Sequence, residues 1–290
     1  MSNCIRCGRQ LPGFSFGKKV CQWCEQHEAQ QRGDVADDAR QPVMPTPWVR
    51  RSASTIGVTH VIFGINVAVF LGMALAASSV MSFTGLDLVR WGANFGPYTL
   101  SGEWWRLLTS VFVHGGIIHI AFNMWCLWNL GALCEALYGP ETYAAIYLLC
   151  GVGGSLGSVI WNPHVLSVGA SGAILGLAGA LLAAFKLGEF SVPRAALSGT
   201  LRSVGAFVVY NLIFGAAISG VDNAAHIGGL ITGLALGALI AVVAPRQEHS
   251  PRRAFIFLLV SLALAAIAAG VAHYHGLPLR MGTRPFRGSR

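Results

Sequence analysis

AAHIGGLITGLALGALIAVV, residues 224–243, is the stretch of sequence that decides the fold. It runs for 20 residues without a charged side chain, which is about the length that an α-helix needs to cross a lipid bilayer. Its glycines lie inside the apolar run, so neighbouring helices can approach closely there. The stretch therefore predicts a membrane-spanning helix that packs tightly inside a bundle.

Apolar runs of similar length recur along the chain. They cover about residues 57–78, 117–137, 142–161, 171–187, 203–219, 224–243 and 254–272. Of the 290 residues, 54% are hydrophobic and 11% are charged, whereas about a quarter are charged in soluble domains. The 36 glycines are concentrated in these runs, which favours a packed bundle over separate anchors. We predict an all-α polytopic membrane protein.

The basic residues predict the orientation of this bundle. They cluster between the spans as Arg50 and Arg51, then Lys186, Arg194 and Arg202, then Arg246, Arg252 and Arg253. With seven spans these clusters share one side, which the positive-inside rule assigns to the cytoplasm. We therefore expect a cytoplasmic N-terminus and an external C-terminus. The tail after the seventh span does not follow the positive-inside rule in this orientation, because it places four arginines on the predicted outer side.

The polar N-terminal region and the overall charge exclude some functions. The first 47 residues are rich in Gln, Asp and Arg, so we expect no cleavable signal peptide. The net charge is +8, but no aromatic platform is interleaved with the basic residues. We therefore expect a lipid bilayer around the chain and no nucleic-acid partner.

Four cysteines near the N-terminus form two C-x2-C pairs separated by 13 residues. They are Cys4, Cys7, Cys21 and Cys24. This spacing is typical of a structural zinc site, in which four thiolates complete a tetrahedron. Two disulfides or unused thiols are the alternatives, and a cytoplasmic location disfavours disulfides. We predict a zinc-ribbon-like module over residues 1–33 and a flexible linker over residues 34–53.

Polar side chains occur at the heads of three predicted spans. Ser171 opens the fourth span and His226 opens the sixth. His119 and Asn123 follow the start of the second span, and their four-residue separation places them on one helix face. Because alternate spans run in the same direction, all four residues fall at one level near the outer surface. A polar group kept at membrane depth is a functional hypothesis.

These residue types suit acyl-transfer chemistry. A serine hydroxyl such as that of Ser171 needs a base within hydrogen-bond reach, and the imidazole of His226 is the natural candidate. Attack on a carbonyl creates an oxyanion, to which His119, Asn123 and the Ser171 backbone N–H can donate hydrogen bonds. The neighbouring Gly169 permits close approach of a substrate to this backbone.

Each of these residues also has a structural interpretation. A G-x-S-G segment in a membrane helix often serves packing alone, and a histidine at a helix end often caps the helix or fills a core. His119 and Asn123 can bridge helices. His114 can be a loop histidine or, with the other two histidines, a metal ligand. Asp222, one turn before His226, stays open as a third member of the serine–histidine pair.

Taken together, the motifs resemble the rhomboid family of intramembrane serine proteases. The similarity covers about residues 54–245 and runs through Glu103-Trp104-Trp105-Arg106, His114 to Asn123, Gly169-Ala170-Ser171-Gly172 and Ala225 to Gly233. It implies a six-helix rhomboid core over residues 54–245, with a seventh transmembrane helix and a basic tail over 246–290. The zinc-ribbon-like module is an addition that the core motifs do not explain.

The resemblance also implies roles for residues. It implies a catalytic pair of Ser171 and His226 in a cavity open to the outer side, with no cofactor for catalysis. His119 and Asn123 stabilise the oxyanion in this scheme. Support for substrate binding is implied for Trp105 and Arg106 in a membrane-dipping loop, and for His114 and Gly169. Tight packing at Gly229 and Gly233 and a lateral gate at residues 203–219 are implied as well.

The expected function is that of a cell-membrane serine endopeptidase that cleaves transmembrane segments of single-pass membrane proteins. One alternative is a non-catalytic client-binding or quality-control protein of rhomboid fold, which the intact serine and histidine disfavour. A second alternative is a transporter. The sequence lacks the pair of interrupted spans in symmetric halves that would favour it.

Overall fold

The computed structural model describes residues 3–8, 19–21, 24–25, 27–28, 56–188, 194–218, 220–243 and 251–274. The predicted linker, residues 34–53, lies outside the described residues, and so does the predicted basic tail beyond residue 274. Of the predicted zinc-ribbon-like module, the parts around the four cysteines are described.

Ten α-helices occur within the described residues. They are α1 (Val58–Ala77), α2 (Gly85–Arg90), α3 (Gly96–Thr99), α4 (Arg106–Thr109), α5 (Ile117–Tyr138), α6 (Pro140–Trp161), α7 (Ser171–Leu187), α8 (Arg194–Ala217), α9 (Asn223–Val243) and α10 (Pro251–Tyr274). A 3-10 turn, Ser110–Phe112, follows α4. Six of these helices are long and apolar enough to cross a membrane, and α7 is a shorter apolar helix. The predicted all-α polytopic fold is confirmed.

Helix α7 lies at the centre of the bundle, packed mainly against α6 and α9. Nearly all of its residues from Gly172 to Phe185 are buried. Its 17 residues span about 26 Å, which is less than the bilayer core of about 30 Å. Because its neighbours enclose it, α7 meets protein rather than lipid and does not have to match that thickness.

Glycines form the contact between α7 and α9. A Cβ atom on Gly229 would overlap the carbonyl oxygen of Gly172, and a Cβ on Gly233 would overlap that of Gly176. The four-residue spacing places each pair of glycines on one helix face. The two backbones therefore touch directly, which holds α9 and its histidine close to α7 and its serine.

The segment between α1 and α5 folds around the side chain of Arg106. Its guanidinium donates from Nε to Glu103 Oε2 at 2.7 Å, and from one terminal nitrogen to the carbonyl oxygens of Val89 at 2.7 Å and Ala93 at 3.1 Å. Arg106 is 6% exposed. A buried guanidinium with three protein acceptors has its hydrogen bonds well satisfied, so it joins α2, α3 and α4 into one compact loop.

Glu135 fastens α1 to α5. Its buried carboxylate accepts hydrogen bonds from the backbone N–H of Val58 at 2.8 Å and of Thr59 at 3.0 Å, and from the Thr59 hydroxyl at 2.7 Å. The first N–H groups of a helix have no acceptor within the helix. The carboxylate supplies one and places negative charge at the positive end of the helix dipole.

Helix α10, the seventh apolar helix in chain order, packs against the loop and α6. Ala268 lies in a buried cluster with Leu107 and Leu156, and Ala272 lies in a second cluster with Leu100 and Val159. Small side chains on α10 therefore allow a close approach to both elements. The C-terminal helix is part of the packed body of the protein.

Candidate active site

Ser171 and His226 meet in the interior of the bundle. Ser171 is the first residue of α7, and His226 lies in the first turn of α9. Their Oγ and Nε2 atoms are 2.9 Å apart, and His226 is 5% exposed. A serine hydroxyl held at this distance from an imidazole nitrogen has the geometry that general-base activation requires.

His119 and Asn123 both face the backbone just before Ser171. A Cβ atom on Gly169 would lie 2.6 Å from His119 Nε2 and 3.6 Å from Asn123 Nδ2. Gly169 has φ of +113°, a backbone conformation that glycine adopts without strain. The missing side chain thus lets these two polar nitrogens lie close to this backbone.

The hydrogen bonds of His119 and Asn123 define which of their atoms remain able to donate beside Gly169. Nδ1 of His119 accepts from the Gly115 backbone N–H at 3.3 Å, so the neutral ring carries its hydrogen on Nε2. Asn123 Nδ2 uses one hydrogen on the His119 carbonyl oxygen at 3.0 Å, and an amide nitrogen has two. Each residue therefore offers one N–H donor on the side of Gly169.

The loop that carries Gly169 is held by the segment between α1 and α5. The Gly169 N–H donates to the Ser110 carbonyl oxygen at 2.9 Å, and the backbones of Asn94 and Ser167 pair in both directions. Asn94 Nδ2 also donates to the Ser155 carbonyl oxygen on α6 at 2.9 Å. These bonds fix the approach of the chain to Ser171.

The predicted supporting residues occupy different places. His114 is fully buried, and its ring lies edge-on to His119 with centroids 5.2 Å apart. Trp105 is half-exposed, and the Arg106 guanidinium lies 4.4 Å from the centre of its ring. Among the described contacts, none joins Trp105 or Arg106 to Ser171. Their connection with the site runs through the loop that Arg106 holds together.

Asp222 caps α9 instead of bonding to the histidine side chain. Its Oδ1 accepts from the Ala225 backbone N–H at 3.1 Å, as an acidic residue at a helix start commonly does. No hydrogen bond joins its carboxylate to the His226 ring within the described contacts. The geometry favours a serine–histidine pair over a triad that includes Asp222.

Asn223 is a polar residue of the site that sequence reasoning missed. It lies one turn before His226, and its Nδ2 donates to the Leu212 carbonyl oxygen of α8 at 3.1 Å. Its position three residues before the histidine was the available signal, since residues at this spacing share a helix face.

The four N-terminal cysteines lie together. All four sulfur atoms are within 4.8 Å of one another, and the Cys4–Cys24 and Cys7–Cys21 pairs are 3.9 and 3.6 Å apart. In a tetrahedral zinc site with Zn–S bonds of about 2.3 Å, the sulfurs are about 3.8 Å apart. The cluster can therefore hold a metal ion, and both its donor type and its size fit zinc.

Hydrogen bonding favours the thiolate of Cys4, which is the form that binds a metal ion. Burial acts to raise the pKa of Cys4, but hydrogen bonds from the backbones of Cys21, Cys7 and Arg6 outweigh it and lower that pKa to about 6. Burial and the neighbouring thiols raise the pKa of Cys24. Because a bound cation stabilises thiolates, a metal ion would relieve the unfavourable ionisation of Cys24.

Fold and site define a class of protein: a multi-pass α-helical membrane protein with a serine–histidine pair inside its helix bundle. Comparison with known proteins agrees. Residues 101–243 match the family model described as "Rhomboid domain". The chain belongs to the rhomboid family.

Individual relatives extend the match beyond the domain. The chain is 33% identical over 244 residues to Rhomboid protease AarA of Providencia stuartii, covering 77% of this chain and 82% of that protein. It is 36% identical over 223 residues to Rhomboid protease GluP of Bacillus subtilis, covering 74% of this chain but only 40% of that protein. RHOMBOID-like protein 6, mitochondrial, of Arabidopsis thaliana is 41% identical over 138 residues, covering 48% of this chain and 44% of that protein. The first two of these relatives are named proteases, and the predicted membership of the rhomboid family is confirmed.

Proposed function

We propose that this protein is an intramembrane serine endopeptidase in which Ser171 is the nucleophile and His226 is the general base. The observation that carries the proposal is the 2.9 Å separation of Ser171 Oγ and His226 Nε2. Membership of a family with relatives named proteases supports it. The retained serine and histidine disfavour the non-catalytic alternative.

The chemistry follows from this pair. As Ser171 Oγ attacks the carbonyl carbon of the scissile peptide, His226 Nε2 takes the hydroxyl proton. The tetrahedral intermediate collapses with cleavage of the C–N bond, and His226 returns the proton to the leaving amine. Water then attacks the acyl-enzyme ester with His226 again as base, which releases the new carboxyl group and restores the serine hydroxyl.

His119, Asn123 and the Ser171 backbone N–H are proposed to stabilise the oxyanion. The nitrogens His119 Nε2 and Asn123 Nδ2 lie beside Gly169, two residues before the nucleophile. The Ser171 N–H belongs to the first turn of α7, whose N–H groups lack acceptors within the helix. Donors already in place when charge develops lower the barrier without reorganisation. No cofactor is needed for these steps.

The proposed substrates are transmembrane segments of single-pass membrane proteins. A helix in lipid keeps its carbonyl groups in internal hydrogen bonds, so such a segment must unwind locally before it is cut. We propose lateral entry beside α8, which packs less against its neighbours than α7 does. Gly169 would allow close approach of the substrate backbone, while His114, Trp105 and Arg106 would support the surrounding loop.

The proposed orientation places the N-terminus in the cytoplasm and the active site toward the extracytoplasmic side of a cell membrane. The basic clusters of the sequence support this assignment. The starts of α7 and α9 lie on the side opposite to Lys186, near the end of α7, so the serine–histidine pair is remote from that basic cluster.

The four-cysteine module is proposed to bind one structural zinc ion. Four thiolates would fill the coordination sphere and leave no position for a reacting water. The zinc would therefore cross-link the module, and Cys4, Cys7, Cys21 and Cys24 would be its ligands.

A fluorophosphonate probe tests the proposed function on detergent-solubilised, full-length protein. We expect covalent labelling of Ser171, located by mass spectrometry, and loss of labelling in Ser171→Ala and His226→Ala. Ser203→Ala is a matched control, because the Ser203 hydroxyl only bonds to the Gly199 carbonyl oxygen within α8.

A membrane reporter with one transmembrane segment tests the substrate class. Ser171→Ala should abolish its cleavage while expression and membrane insertion stay normal. Full biological activity of Ser171→Ala, together with no labelling of the wild type, would instead favour the non-catalytic client-binding protein.

A further inference from the structure

The imidazole of His226 has a second nitrogen, Nδ1, which takes no part in the contact with Ser171. Nε2 faces Ser171 Oγ, whereas Nδ1 is buried and makes no hydrogen bond to any residue that the structure describes. If Nε2 is to accept the serine proton, Nδ1 must carry the ring hydrogen. A buried N–H group needs an acceptor, so the site requires one more polar atom on this side of the ring.

Asn223 offers such an atom in a fixed orientation. Its Nδ2 donates to the Leu212 carbonyl oxygen of α8, which turns its Oδ1 away from that carbonyl. Oδ1 is buried and likewise has no hydrogen-bond partner among the described residues. A donor and an acceptor that both lack partners therefore lie one turn apart at the start of α9.

Gly215 of α8 shows that the two atoms border the same space. A Cβ atom at this position would overlap Asn223 Oδ1 and would lie 3.4 Å from His226 Nδ1. The absence of a side chain at position 215 thus lets Asn223 Oδ1 occupy a place close to His226 Nδ1. A glycine in a membrane helix commonly permits close approach of a neighbour, and here the neighbours are two polar side chains of the site.

We propose that Asn223 is a positioning residue for His226: its Oδ1 accepts a hydrogen bond from Nδ1–H, directly or through one water molecule, and holds Nε2 unprotonated toward Ser171. This inference rests on the proposed function. Asn223 would orient the base as the carboxylate of a serine triad does, without adding a charge. Its Nδ2 donates to the Leu212 carbonyl oxygen of α8. A movement of α8 would therefore move Asn223 and change the orientation of the His226 ring.

Two titratable side chains share this neighbourhood. Asp222 on the same turn has one buried carboxylate oxygen without a described partner, and it is the competing acceptor. His119 on α5 faces the serine side of the site through Gly169. Asn223 is favoured over Asp222 because Asn223 and His226 both face Gly215, whereas Asp222 is engaged in capping α9.

The test measures the rate of Ser171 labelling by a fluorophosphonate probe in the full-length protein. Asn223→Ala removes the acceptor. Gly215→Ala keeps Asn223 but displaces its Oδ1. Asn129→Ala is the matched control for the first variant, because Asn129 Nδ2 also donates to a carbonyl oxygen of its own helix, that of Trp125. Gly64→Ala is the control for the second, because nothing lies within 4 Å of a Cβ at that position of α1.

We expect Asn223→Ala and Gly215→Ala to label about tenfold more slowly or worse, as loss of an oriented base predicts, and both controls to label at the wild-type rate. The final extent of labelling reports the folded fraction, which separates slow chemistry from poor folding. A second readout is the 15N spectrum of the His226 ring, assigned by its loss in His226→Ala. It should change in Asn223→Ala and stay unchanged in Asn129→Ala, a difference that a purely structural role of Asn223 would not produce.

Labelling of Asn223→Ala at the wild-type rate would overturn the inference. Slow labelling of Asp222→Asn, with Asn223→Ala labelling normally, would overturn it as well and identify Asp222 as the acceptor. Failure of the wild-type protein to label at Ser171 is a different result, because it would refute the proposed function itself.

Discussion

Nε2 of His226 lies 2.9 Å from Oγ of Ser171, although 55 positions separate the two residues in the chain. The contact depends on the glycines of α7 and α9, which let the backbones of the two helices touch. The Gly229 Cα faces the Gly172 carbonyl group; Gly172 directly follows Ser171, and Gly229 lies three residues after His226. The same close packing that holds the bundle together therefore sets the distance between the proposed nucleophile and base.

Asn123→Ala should lower kcat by about 10²–10³-fold, because it removes one proposed oxyanion donor. KM should change little if the donor acts mainly on the transition state. Cleavage kinetics of a reporter transmembrane segment measure both constants. Asn129→Ala is the control, since Asn129 Nδ2 bonds to the Trp125 carbonyl oxygen on the same helix but faces the exterior. Equal kcat values for the two variants would contradict the proposed role of Asn123.

Gly233→Ala should destabilise the bundle by about 1–3 kcal/mol, because its Cβ would overlap the backbone carbonyl of Gly176, which cannot move independently of α7. The thermal unfolding midpoint in detergent reports this loss. Gly64→Ala should leave the midpoint nearly unchanged, since nothing lies within 4 Å of a Cβ there. A tolerated Gly233→Ala would show that α7 and α9 are more loosely packed than described.

Glu135→Gln should destabilise the protein by about 1–3 kcal/mol, because an amide nitrogen would replace an acceptor of buried N–H and hydroxyl donors. The free energy of unfolding, followed by denaturant titration, measures the effect. Glu141→Gln changes an exposed acidic residue in the first turn of α6 and should cost clearly less, because water solvates its side chain. Similar losses in both variants would argue against a special role for Glu135 in capping α1.

Purified protein should contain about one zinc per chain, and Cys4→Ser combined with Cys7→Ser should lose it. Zinc binding requires thiolates, so acidification should weaken it as protons compete for the sulfurs. The Cys4 pKa of about 6 implies better retention at neutral pH than at pH values below 6. Elemental analysis after dialysis at each pH measures retention, and Cys126→Ala, a thiol of α5, is the control. Retention of zinc by the double variant would exclude these ligands.

Much of the fold followed from local sequence. The seven predicted spans agree with the long helices to within a few residues at most ends, although α8 begins at Arg194 rather than near residue 203. Helices α2, α3 and α4 were not predicted individually, because they are too short for a periodic pattern. Their arrangement depends on the buried side chain of Arg106, whose acceptors are as many as 17 residues away.

The sequence by itself determined the class of fold and the residues able to do the chemistry. In lipid, every backbone polar group must bond internally, so long apolar runs predict helices, and costly polar residues within them stand out. Only the tertiary structure decided how those residues meet. The rotation and spacing of packed helices bring Gly215 of α8 beside Asn223 and His226, and they bury Arg106 within its loop. Such contacts depend on the packing of elements distant in the chain, which no local pattern encodes.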